Sequence, residues 1–241
     1  MLAAFHSLFS VGGIAILLPF VGQFAAMIER LIVDRRQSVT IGLDVSAAEV
    51  PVVALEAPRN ALLALTQQVI PKVEARVHGA ARSTDASRSA AIAEVRSFLS
   101  VLATQPSDDV LHARHVALLH VADHLETLNS TLLRAVPFAA ITNVRDIAED
   151  LGFRALLQDL SAWLETPSDA LAATIQGDND ALAARRRALR RETLSRAATG
   201  AIRADDADHL LDYIGWLDDC AYHLARMAHY LATSTVPLDE A

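Results

Sequence analysis

Cysteine is nearly absent. One residue in 241, Cys220, excludes an internal disulfide framework and any zinc site built on several thiolates. Aromatic residues make up only 5% of the chain, while Ala and Leu dominate. That bias disfavours a β-sandwich and favours helices. No period-two alternation of useful length occurs. Net positive charge is lacking too. The formal charge is −8, which argues against nucleic acid as a partner, since phosphate contacts need a basic surface. No G-x-S-x-G, P-loop, H-E-x-x-H or Gly-rich phosphate cradle is present, so an enzyme is not expected.

The most localised absence is at the start. Leu2 to Ile28 contains no Asp, Glu, Lys or Arg. As a helix this stretch would run about 40 Å, enough to cross a bilayer core of ~30 Å. Nothing basic precedes it, as a signal peptide would require. Arg30, Arg35 and Arg36 follow it, and by the positive-inside rule they place its C-terminal end in the cytoplasm. A buried helix of a soluble bundle is the alternative. His6, Ser7 and Ser10 would lie at membrane depth, where polar groups face protein or a water path. The helix is therefore expected to belong to a larger assembly. Its position directly after Met1 suggests a truncated gene product or the last piece of a transporter.

Domain boundaries follow: a transmembrane helix at 1–33, a linker at 34–50 and a helical domain at 51–241. The helical domain reads as six helices, at about 51–79, 85–103, 107–135, 143–165, 169–197 and 204–232. Five show an apolar stripe at helical spacing, and the fifth is bounded by the stop and restart at Thr166-Pro167-Ser168 and by Gly200. Pro58 and Pro71 interrupt the first, and Gly152 weakens the fourth. A break at Pro137 divides them into two three-helix units. The third and sixth helices share a loose pattern, "LLHVADHLETLNSTLL" and "YIGWLDDCAYHLARMAHYL".

Two clusters carry potential chemistry. His120, Asp123, His124 and Glu126 lie within two turns, and His120 and His124 have the i, i+4 spacing of a two-ligand metal site. A solvated helix face is the plainer reading. The basic run Arg185, Arg186, Arg187, Arg190 and Arg191 suits anionic headgroups or a phosphate-rich partner. Alternatively it is a solvated face paired with Asp178, Asp180 and Glu192.

His6, Phe9 and Leu17-Leu18-Pro19-Phe20 resemble the closing helix of the second repeat of type II bacterial sodium/phosphate cotransporters. Pro51 to Arg59, "PVVALEAPR", resembles the opening of the PhoU-like domain that follows in many bacterial members. The resemblance implies an all-α chain: one N-terminal transmembrane helix, then a PhoU-like six-helix bundle of two three-helix units. It implies the C-terminal portion of a sodium-dependent phosphate cotransporter-like protein in the inner membrane, its bundle regulating transport from the cytoplasm. A soluble PhoU-like regulatory or metal-binding protein is the alternative. The implied partners are the membrane and the rest of a transporter, or a second copy. His6, Phe9 and Ser10 would be transport-associated, with Ser10 replacing the family's Asn. Sodium and phosphate belong only to a complete transporter. The Q-S-S-S motifs of the transport core do not occur, and one helix cannot provide alternating access. The family's E-x-x-x-D metal motif is incomplete. Ser130 follows Glu126, and Tyr222 follows Asp218 and Asp219. Any divalent or iron site would use these remaining carboxylates.

Overall fold

The computed structural model describes residues 40, 43, 51–82, 85–102 and 109–235. The chain divides into units Met1–Gln37 and Ser38–Ala241, and every described residue belongs to the second. The expected membrane helix at 1–33, with His6, Phe9 and Ser10, lies outside the described residues, as does most of the 34–50 stretch. No helix among the described residues is long and apolar enough to cross a membrane.

The described fold is all-α. It comprises α1 (Pro51–Val77), α2 (Ala86–Val101), α3 (Asp109–Leu133), a 3-10 turn (Phe138–Ala140), α4 (Val144–Asp150), α5 (Phe153–Glu165), α6 (Asp169–Ala198) and α7 (Ala204–Thr233). The Asp85 carboxylate caps α2 by accepting from the Arg88 amide at 3.1 Å, and the Ser168 hydroxyl caps α6 from the Leu171 amide at 3.3 Å. Gly79 ends α1 with φ +82°, its amide donating to the Arg76 carbonyl while Ala80 donates to that of Ala75. This pair of bonds is a Schellman closure, and it satisfies carbonyls the helix leaves open.

One expectation is corrected. The fourth helix is two helices, because Gly152 takes φ +82° and stops the ladder after α4. By contrast, α1 continues through both Pro58 and Pro71. Its stripe of Leu55, Leu62, Leu65, Val69 and Val73 is fully buried. At about 1.5–3 kcal/mol per buried aliphatic side chain, that face outweighs the backbone bonds the prolines remove.

Helices α1, α2 and α3 pack on one another, and so do α5, α6 and α7. The two sets meet chiefly where α3 lies along α7. Leu118, Val121, Leu125 and Leu128 of α3 and Trp216, Leu217, Leu224 and Leu231 of α7 are fully buried. Two residues of the 34–50 stretch join the bundle as well. Leu43 enters the core, and the Thr40 hydroxyl donates to Glu94 of α2 at 2.8 Å.

Three buried arginines organise α1–α3. Arg76 donates to the carbonyls of Ala80, Leu132 and Arg134 at 2.6–3.3 Å. Arg88 places two donors on Asn129 Oδ1, at 3.0 and 2.6 Å, and pairs with Asp85. Arg114 donates to the Ser234 carbonyl at 2.8 Å and pairs with Glu56 of α1. A guanidinium has five donors and no neutral form, so it tolerates burial only when acceptors surround it.

Candidate functional site: the α3–α7 seam and the outer face of α6

Of the α3 histidines, His112 and His120 are exposed, while His124 turns partly into the seam with α7. His124 is half-buried, and its Nδ1 lies 2.9 Å from Nδ1 of His223 on α7. The two ring centroids are 5.2 Å apart, a separation that places both nitrogens on the line between the rings. The rings therefore address each other, as in a shared N–H···N bond, and not a common third point. One ring donates and the other accepts, so one proton sits between them. Burial, then the neighbouring His223, pulls His124 down to about 4. Burial lowers His223 as well. His120 stacks on Tyr230 at 4.5 Å, and Tyr230 in turn accepts a hydrogen bond from Arg226 at 2.5 Å.

Three acidic residues of the seam are met by arginine. Glu126 pairs with Arg96 of α2. Asp218 pairs with Arg186 of α6 at 3.0 Å, and Asp219 with Arg134 at 2.7 Å. Burial raises the Asp218 carboxyl above its ordinary range, a shift that Arg186 opposes. Asp123 is exposed on α3. Where the E-x-x-x-D pattern has its second carboxylate, the Ser130 hydroxyl donates back to the Glu126 carbonyl at 3.1 Å. At the matching place on α7, Tyr222 is 47% exposed and meets His124 edge-on. Among the described residues, no three His, Cys, Asp or Glu side chains converge as a metal ion requires. Arg134, Arg186, Asp212, Gly215, Asp218 and Asp219 line a polar cleft of about 380 Å³.

The arginines of α6 separate into two groups. Arg186 turns inward to Asp218, and Arg185 lies against Gly152, filling the space where a Cβ would stand. Arg187, Arg190 and Arg191 are exposed and form no ion pair among the described residues. The expected partners do not serve them. Asp180 accepts from Gln176 at 3.0 Å, and Glu192 sits 3.9 Å from Arg196. Asp178 faces Asp159 of α5, and burial together with that second carboxyl raises it.

His223, Arg226 and Tyr230 were not singled out in the sequence. Their spacing of three and four places them on one face of α7, a signal masked by the leucine stripe beside it. Arg134 follows the end of α3, and nothing local ties it to an aspartate 85 residues away.

Comparison of the chain with protein-family models, with curated proteins and with solved structures gave no match.

Proposed function

We propose that the chain is the C-terminal portion of a sodium-dependent phosphate cotransporter-like membrane protein. In this reading residues 2–28 anchor it in the inner membrane, and the helical unit is a PhoU-like regulator on the cytoplasmic side. The observation that carries the reading is the placement of α3 against α7, each the last helix of its own packed set. That is the pairing expected of two three-helix units joined through their third helices. The motifs at His6 to Phe20 and at Pro51 to Arg59 supply the rest.

The chain alone does not carry transport, because alternating access needs two opposed repeats. Its contribution is regulatory. The ion pairs of Glu126, Asp218 and Asp219 set how this works. A metal approaching these carboxylates competes with Arg96, Arg186 and Arg134. The apolar seam holds the bundle together, and displacement of those surface pairs is the signal.

Alkaline carbonate extraction of membranes from cells producing the full chain tests the anchor. Retention in the pellet is expected. Recovery in the soluble fraction, as a detergent-free dimer with stoichiometric iron or zinc, would instead establish the soluble PhoU-like regulator.

A further inference from the structure

We infer that the outer face of α6, formed by Arg187, Arg190, Arg191 and Leu194, seats the helical unit on an anionic lipid surface. These residues follow one another at i, i+3, i+4 and i+7, so they share one side of the helix. The buried side is different: Ile175, Asn179, Leu182 and Thr193 face the bundle. Glu192 lies on the far flank, with Arg196. The result is a face of three exposed guanidinium groups that form no ion pair among the described residues, on a chain whose net charge is −8; Asp218, already paired with Arg186, attracts Arg187 at its edge. Background composition does not produce such a face, since acids outnumber bases, 29 to 21.

Leu194 adds the second element. It is 46% exposed at the C-terminal end of the basic face, one turn beyond Arg190 and Arg191. An apolar side chain beside a cluster of arginines suits a headgroup layer: the guanidinium groups meet phosphate, and the isobutyl group enters the acyl boundary. Nucleic acid fits less well. The face spans about 10 Å of helix, too short to track a backbone, and the surrounding acidic surface repels one.

The inference rests on the membrane reading for where the lipid is met, but it is tested separately. The full chain carrying Ala198→Cys, one turn beyond Leu194, is labelled with an environment-sensitive fluorophore. The native thiol of Cys220 is fully buried and stays unlabelled. The labelled chain is placed in bilayers of phosphatidylcholine alone or with phosphatidylglycerol added. A blue shift is expected only with phosphatidylglycerol, weakening as salt rises. Arg187→Glu/Arg190→Glu/Arg191→Glu should lose the partitioning by roughly 100-fold, with an unchanged circular dichroism spectrum. Leu194→Ser should retain the salt-dependent contact but reduce the shift. An equal shift in phosphatidylcholine, or a triple variant that still responds, overturns the inference. So does a response to soluble polyphosphate without one to phosphatidylglycerol vesicles. Carbonate extraction of the same samples reads the anchor independently. A chain that does not insert can still be mixed with vesicles and read at position 198.

Discussion

The helices α1–α3 and α4–α7 treat arginine in opposite ways. In α1–α3, Arg76, Arg88 and Arg114 are at most 6% exposed, each surrounded by carbonyls, an amide or a carboxylate. In α4–α7, no arginine is buried among the described residues. The core there is filled by aromatics instead: Phe153, Trp163, Tyr213 and Trp216 are essentially inaccessible, whereas Phe98 is the single aromatic of α1–α3. Large rings supply much of the buried area there, and two also donate hydrogen bonds, Tyr213 to the Val144 carbonyl at 2.8 Å and Trp216 to that of Thr131 at 2.9 Å. A set built from Ala, Val and Leu uses guanidinium bridges between helix ends. The lesson is that arginine content by itself says nothing about binding. The first set uses arginine as buried bracing; the second ties down Arg185, Arg186 and Arg226 but leaves Arg187, Arg190 and Arg191 exposed.

The strongest test of that contrast is Arg88→Ala. It removes both donors from Asn129 and the partner of Asp85, and should lower stability by about 2–4 kcal/mol in urea titration. The seam between the sets responds to pH. His124 is held near 4 against 6.5 in the unfolded chain, so between those values the unfolded chain binds more protons. Stability should be full above pH 6.5 and fall on acidification towards pH 4. In His124→Phe, thermal melts should show a shallower slope over that window. Gly152→Ala probes the break between α4 and α5. A left-handed φ of +82° costs an alanine roughly 1–2 kcal/mol, and the crowded atom is only the flexible end of Arg185. Arg190→Ala is the counterpart of the first variant. Its melting curve should shift by less than about 0.5 kcal/mol, because nothing in the bundle leans on it. A large loss there would collapse the distinction between bracing and free arginine.

Much of the fold was legible locally. Apolar spacing places α2, α3 and α7, and cap or stop residues place α2 and α6, within a few residues of where they form, because both signals act within a turn or two. Gly152 was recognised as weak, but a full stop there depends on its left-handed backbone, and a glycine in a helical pattern does not announce that. The seam was harder. His120 is exposed, as a solvated face requires, but nothing near His124 in the sequence names His223, 99 residues on, or Tyr230. The basic run read as one unit, yet tertiary packing turned Arg186 inward and left Arg187 outside. Adjacent residues on a helix differ by about 100° in direction, so a contiguous run never describes a single face.

Arg114 has a consequence for how the chain assembles in time. Its guanidinium is satisfied by Glu56, already synthesised, and by the Ser234 carbonyl, which emerges 120 residues later. Until α7 packs on α3, that donor meets water in place of a carbonyl. The final environment of Arg114 is therefore completed only when the last described turn of the chain is in place.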